Sequence, residues 1–100
     1  VQIRFVIPVS WPEALSVAKK EYPGFARPDT EISSVILDER VVPRDAHPSE
    51  GFVTPEILGK IKEAEQDGID AVVIDCMADP GMEAGRNLVS IPVIGPGDCA

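Results

Sequence analysis

One hundred residues, 44% of them hydrophobic and only 5% aromatic, bound the chain to one compact domain with an aliphatic core. A charged fraction of 26% argues against a disordered or collagen-like chain, and a net charge of −8 with scattered Lys and Arg leaves no basic patch for nucleic acid. No apolar run approaches membrane-spanning length, and Arg4 and Pro8 interrupt the first one, so neither a membrane partner nor a signal peptide is expected.

Ile3-Arg4-Phe5-Val6-Ile7 reads as a first strand, ended by Pro8. Ser10-Trp11-Pro12-Glu13 then has the marks of a helix start. Ser10 can cap, Pro12 fits the first turn, and Glu13 completes a capping box. Leu15, Ala18 and Tyr22 continue at helical spacing until Pro23-Gly24. Glu31 to Leu37 is a second strand, β-branched and partly alternating, as suits a place nearer a sheet edge. Asp38 to Phe52 carries Pro43, Pro48 and Gly51 without a clear period. It is predicted to be a long loop, the kind of segment that carries function in compact domains.

Thr54-Pro55 opens the clearest helix, with Val53 placed to staple onto Leu58. Ile57, Leu58, Ile61 and Ala64 form its expected buried stripe, and Gly68 is its stop. Ala71 to Asp75 is a third strand whose successive apolar residues predict cover on both faces. A helix from Pro80 to about Val89 follows, with Gly81, Ala84, Gly85 and Leu88 on a small-residue face that implies close packing on the sheet. Ile91-Pro92-Val93-Ile94 is a short fourth strand. The chain opens at Val1 without a methionine and closes on Gly95-Pro96-Gly97-Asp98-Cys99-Ala100, so both ends are expected to be cut from a longer protein.

The order β-α-β-α-β-α-β predicts an α/β fold, a flavodoxin-like doubly wound parallel sheet of about four strands formed by residues 1–100 as a single lobe. Ligands in such sheets bind beyond the carboxyl ends of the strands. Pro8-Val9-Ser10, the stretch after Asp38, Cys76 to Asp79 and Gly95 to Cys99 therefore gather along one rim.

Asp75-Cys76-Met77-Ala78-Asp79-Pro80-Gly81 is the most informative stretch on that rim. It delivers one thiol to a strand end, with a helix expected to begin immediately after it. A helix N-terminus favours an anion, and a thiolate there can act as nucleophile or base. The competing reading is a buried small hydrophobe, the usual fate of a free cysteine. Asp79, which precedes Pro80, is expected to cap that helix, and Asp75 to point to the other side of the strand from Cys76.

The remaining candidates are weaker. Ser10 could donate a hydrogen bond to a substrate carboxylate, although the capping box is the stronger reading. His47, the single histidine, reads as a solvated loop residue. Cys99 could approach Cys76, since parallel strands lie about 4.8 Å apart. Both thiols would then stand on the same wall of a pocket, so an incidental role is favoured for Cys99. Gly95-Pro96-Gly97 lacks the spacing of a phosphate-binding signature. Two distant cysteines and one histidine make no metal-ligand cluster and no disulfide framework, and a reducing, cytoplasmic setting is the default.

The run Ala71-Val72-Val73-Ile74-Asp75-Cys76-Met77-Ala78-Asp79-Pro80-Gly81-Met82 resembles the strand-and-cysteine motif of the aspartate/glutamate/hydantoin racemase superfamily, closest to its hydantoin racemase branch. Ile91-Pro92-Val93-Ile94-Gly95-Pro96-Gly97-Asp98 is similar to that branch's Ile-Pro-Val-x-Gly-x-Gly-Glu, with aspartate in place of the glutamate. Val6-Ile7-Pro8-Val9-Ser10 corresponds to its first strand and substrate loop, where many relatives carry asparagine. The resemblance implies two similar lobes about a pseudo-twofold axis, each giving one cysteine to a site between them. One thiolate takes the proton from the substrate α-carbon and the other thiol returns one to the opposite face, without cofactor or metal.

On that resemblance Cys76 is the first catalytic cysteine, and Ser10, Met77, Ala78 and Asp79 help to hold the carboxylate or ring carbonyl of a small-molecule substrate. The partner is the missing second lobe or another copy of the chain, and the isolated chain is expected to be inactive. The superfamily also includes a decarboxylase and a cis–trans isomerase that use cysteine chemistry, and a non-catalytic self-associating module is a further alternative.

Overall fold

The computed structural model describes residues 1–47 and 51–99. Pro48, counted above among the breakers of the long loop, lies outside them, as does Ala100. Four strands form one all-parallel sheet in the order β2-β1-β3-β4: β1 (Gln2–Ile7), β2 (Glu31–Ile36), β3 (Ala71–Ile74) and β4 (Val93–Ile94). The helices are α1 (Pro12–Glu21), α2 (Val53–Gln66), α3 (Met82–Leu88) and a single helical turn, α4 (Pro96–Cys99). This is the flavodoxin-like doubly wound arrangement that the element order predicts.

The chain leaves β1 toward β2 on one side, then crosses back to β3 on the other, and the switch point falls between β1 and β3. The register pairs Val6 with Ile74, and the Asp75 N–H donates to the Val6 carbonyl at 2.9 Å. The ends of these two central strands therefore stand level. In open α/β sheets the ligand-binding crevice opens at such a point.

Side-chain alternation sorts the core. Val6, Val72, Ile74 and Val93 point to the face covered by α2 and α3, where they meet Val53, Ile57, Ile61, Ala64 and Met82 in one buried cluster. Phe5 and Asp75 point the other way, toward the end of α1, with the Phe5 and Tyr22 rings 4.8 Å apart. Asp75 thus faces away from the α2 side, as the strand alternation requires. The expectation that β3 is covered on both faces is corrected. Val72 and Ile74 are buried, but Ala71 and Val73 are only half-buried, because α1 packs mainly over β2.

Several local expectations also change. The α1 cap is Trp11, not Ser10, and no side-chain cap bond is made, so the capping box does not form. Pro23-Gly24 lies inside a 3₁₀ turn (Tyr22–Phe25) instead of simply ending the helix. Val53 is no staple outside α2. It is the first helical residue and is fully buried, which draws the helix start one residue earlier. At the other end Gly68 works as expected: with φ +78° it lets the Ile69 N–H reach the Ala64 carbonyl at 3.0 Å and its own N–H reach that of Glu65 at 3.2 Å. Ile69 then packs into the core beside Ala64, completing a Schellman motif.

The small-residue face of α3 is also redrawn. Met82 and Gly85 are buried, whereas Ala84 and Leu88 are exposed. A Cβ on Gly85 would come within 2.8 Å of Ile61 Cδ1, so the tight approach is to α2 more than to the sheet. β4 shrinks to two residues; Pro92 can only accept, taking the Val72 N–H at 2.9 Å.

Candidate active site

β1 delivers Pro8-Val9-Ser10 to the rim. The Val9 N–H donates back to Ile7, and the Leu37 N–H donates to Val9 at 2.9 Å, which holds this loop against the end of β2. Ser10 is 3% exposed, and its hydroxyl has no hydrogen-bond partner among the described residues. A buried hydroxyl left unpaired costs about 1–3 kcal/mol, and Ser10 lines none of the three concavities that flank this rim. Ser34 is unpaired in the same way but sits within β2, away from the rim.

β2 delivers the loop from Leu37 onward. Val42 is fully buried and anchors it, and the Trp11 indole N–H donates to the Arg44 carbonyl at 2.6 Å. The Arg44 guanidinium lies 5.8 Å over the Trp11 ring and pairs with Glu13. The sequence predicts only a long loop here. Its one detectable signal, the apolar pair Val41-Val42 amid polar residues, marks the anchor. His47, at its far end, is exposed.

β3 delivers Cys76, which is half-buried. The Cys76 N–H donates to the Ile74 carbonyl at 2.9 Å, and the Asp79 N–H donates to the Cys76 carbonyl at 3.0 Å, closing a tight turn. Met77 and Ala78, at the middle of that turn, are exposed. The helix expected directly after Cys76 does not begin there. α3 starts at Met82, with Gly81 at φ +75° as its cap, so Pro80-Gly81 extend the turn and the thiol is not seated on a helix N-terminus. The reason is Gly81, whose positive φ falls inside the predicted span and breaks the helical path; Asp79, at φ +50°, turns the chain just before it.

Asp79 does not cap α3 either. Its Oδ1 accepts the Gly97 N–H at 2.9 Å and its Oδ2 accepts the Asp98 N–H at 2.6 Å, so it caps the α4 turn across the rim. Asp98 in turn meets Arg86 at 3.3 Å, and Arg86 Nε donates to the Val93 carbonyl at 2.9 Å. Cys99 is exposed on the same short turn. On the opposite side of β3, the Tyr22 hydroxyl donates to Asp75. That bond, then burial and the Asp75 charge, push the phenol up to about 12.

Three shallow concavities flank this rim. One of about 530 Å³ is lined by Ala78, Asp79, Gly81, Met82, Glu83 and Ala84. Another of about 370 Å³ runs along α1 past Ile7, Trp11, Tyr22 and Asp75, and one of about 380 Å³ lies at Trp11, Arg44 and Asp45. Of the residues singled out from sequence, Ala78 and Asp79 line the largest. Cys76 lines none of the three, although its own turn is open to solvent.

A family pattern described as Asp/Glu/Hydantoin racemase matches residues 23–100, which include the Cys76 turn and the Gly95-Pro96-Gly97 turn. The chain belongs to that racemase family. It is 36% identical over 70 residues to a hydantoin racemase of Pseudomonas sp. (strain NS671) and 44% identical over 46 residues to one of Rhizobium meliloti. These matches cover 70% and 46% of the chain, but only 28% and 19% of the two relatives. Among solved structures, allantoin racemase from Klebsiella pneumoniae superposes with a TM-score of 0.81 at 30% identity, covering 95% of this chain and 39% of that one. The chain therefore spans well under half the length of the relatives that it matches, and the racemase fold it shares is that of one α/β lobe.

Proposed function

We propose that the complete protein carrying this lobe racemises a small carbon acid next to a carbonyl, of the hydantoin or amino-acid type, with Cys76 as one of two acid/base groups. The single observation that carries the reading is the place of Cys76. It sits half-exposed in a turn at the carboxyl end of β3, beside the β1–β3 switch point, inside the segment matched by the racemase family.

Inversion at a carbon acid needs a base on one face and an acid on the other. Thiols ionise close enough to neutral pH to serve in either role. The Cys76 thiolate takes the proton from the α-carbon, and its electron pair passes into the neighbouring carbonyl to give an enolate. A second group returns a proton to the opposite face, and Cys76 holds the proton it removed. The Ser10 hydroxyl has no partner among the described residues, and it would donate to the developing enolate oxygen or to a ring carbonyl once a substrate reaches it. The exposed Met77-Ala78 turn supplies backbone against the same substrate. Cys99 follows the adjacent strand of the same lobe, so the opposing acid is assigned to a second lobe or another copy of the chain.

Names of the relatives favour a five-membered ureide ring over an open amino acid as substrate class. The test is to incubate the complete protein with one enantiomer of a 5-substituted hydantoin in deuterium oxide. Chiral chromatography follows inversion and proton NMR follows loss of the ring C–H signal. Racemisation with deuterium incorporation, abolished by Cys76→Ser, is the expected result. A Cys76→Ser variant with unchanged activity removes Cys76 from the mechanism. Release of carbon dioxide from a malonate-type acid without racemisation selects the decarboxylase chemistry instead.

A further inference from the structure

Asp79 is bonded to both halves of the rim at once. Its N–H donates to the Cys76 carbonyl at 3.0 Å, which closes the cysteine turn, while its two carboxylate oxygens take the Gly97 and Asp98 N–H groups at 2.9 and 2.6 Å. One residue thus joins the loop after β3 to the loop after β4. Its backbone adopts φ +50°, a left-handed conformation that Asp and Asn tolerate better than other side-chain-bearing residues.

The partner loop is shaped to receive it. A Cβ on Gly97 would collide with the Met77 carbonyl oxygen and come within 2.8 Å of Asp79 Oδ2. A Cβ on Gly95 would lie 2.5 Å from Asp79 Cγ and 2.6 Å from Met82 Sδ. Two glycines on either side of Pro96 therefore make room for the carboxylate and for the turn that bears Cys76. Arg86 steadies the receiving side through Val93 and Asp98.

We infer that Asp79 is a positioning residue, whose carboxylate fixes the Cys76 turn against the Gly95-Pro96-Gly97 turn, and that it does not act as a substrate ligand. The inference rests on the proposed role of Cys76 as an acid/base group. Both carboxylate oxygens face protein N–H donors, and the N–H of Asp79 is already given to Cys76. Any effect of Asp79 on catalysis therefore passes through the placement of the thiol. A thiol displaced by about 1 Å loses rate on the order of 10²-fold with little effect on ground-state binding.

Three variants of the complete protein test this. Asp79→Gly keeps the left-handed backbone and deletes both acceptors. Asp79→Asn keeps the backbone and one acceptor, and Gly97→Ala disturbs the cradle while leaving Asp79 intact. Three readouts apply to each: hydrogen exchange at the Gly97 and Asp98 amides, the rate of iodoacetamide alkylation at Cys76 resolved from Cys99 by peptide mass, and kcat against KM on a 5-substituted hydantoin.

Asp79→Gly is expected to speed exchange of both amides, to change Cys76 alkylation several-fold, and to lower kcat about 10²-fold with KM nearly constant. Gly97→Ala is expected to follow the same pattern, and Asp79→Asn to recover most of kcat. A raised KM at unchanged kcat in either Asp79 variant makes Asp79 a substrate ligand and overturns the inference, as does wild-type Cys76 alkylation in both Asp79→Gly and Gly97→Ala. Should Asp79→Gly fail to fold, Gly97→Ala decides through the same readouts. If the racemase reading itself fails, Cys76→Ser shows it, while amide exchange and alkylation still report on the clamp.

Discussion

Gly85 holds α3 against α2 at a distance that a single methyl group would violate. An ideal Cβ there stands 2.8 Å from Ile61 Cδ1, while Val93 Cγ1 and Ile61 Cγ2 lie at 3.7 and 3.8 Å, in ordinary contact. Ile61 is fully buried, so its terminal methyl must turn within the packed core to admit the added Cβ. Overpacking of this kind costs about 1–3 kcal/mol. The Gly-to-Ala change itself favours the helix by about 1 kcal/mol. Gly85→Ala is therefore expected to destabilise the lobe by about 0–2 kcal/mol. Ile61→Val removes Cδ1 and alone costs about 0.5–1.5 kcal/mol. In that background the Gly85→Ala clash is gone and the substitution should turn stabilising. Urea unfolding of the 100-residue chain, followed by its single tryptophan Trp11, gives the four corners of the cycle. The expected coupling is about 1–3 kcal/mol in favour of the double variant. An identical effect of Gly85→Ala in both backgrounds would refute the packing argument, since nothing else approaches the added methyl closely.

Tyr22 is the only tyrosine, so near-ultraviolet absorbance follows its ionisation directly. Its pKa is raised from 10.0 to about 12, chiefly by the hydrogen bond to Asp75, so the neutral phenol is favoured in the folded state. The stability it contributes is fully present below pH 10 and is lost as pH rises toward 12; Asp75→Asn should bring the midpoint down, and a wild-type midpoint at 10 would contradict the bond. Gly68→Ala should cost about 1–2 kcal/mol in urea melts, because φ is +78° and no neighbour lies within 4 Å to add a steric cost or a gain. Gly68→Asn is expected to lose less. The 100-residue chain alone should show negligible racemisation of a hydantoin under conditions where the complete protein is active; comparable turnover by both would mean that the lobe, or a pair of lobes, supplies both proton-transfer groups.

The order of strands and helices was legible in the sequence because apolar period and breakers act locally. Ile3 to Ile7 and Ala71 to Ile74 are short apolar runs rich in β-branched residues, as strands are, and Gly68 stopped α2 by the left-handed conformation that glycine adopts without a Cβ penalty. The rim loops and the cysteine turn followed from topology, since a doubly wound parallel sheet brings its carboxyl ends to one edge.

What surrounds Cys76 followed from contacts between residues far apart in the chain. Asp79 had an obvious local task as a helix cap, yet the amides of Gly97 and Asp98, 18 and 19 residues on, took its carboxylate, and α3 starts at Met82 behind the left-handed Gly81. Ser10 had an equally plain capping role. In the folded chain Trp11, bonded to Arg44, is the cap instead, and the serine hydroxyl is buried without a partner among the described residues. A local pattern states which bonds a residue is able to make. Only the folded chain sets which donor arrives first and at better geometry, because that depends on where distant backbone N–H groups are left over once the strands have paired.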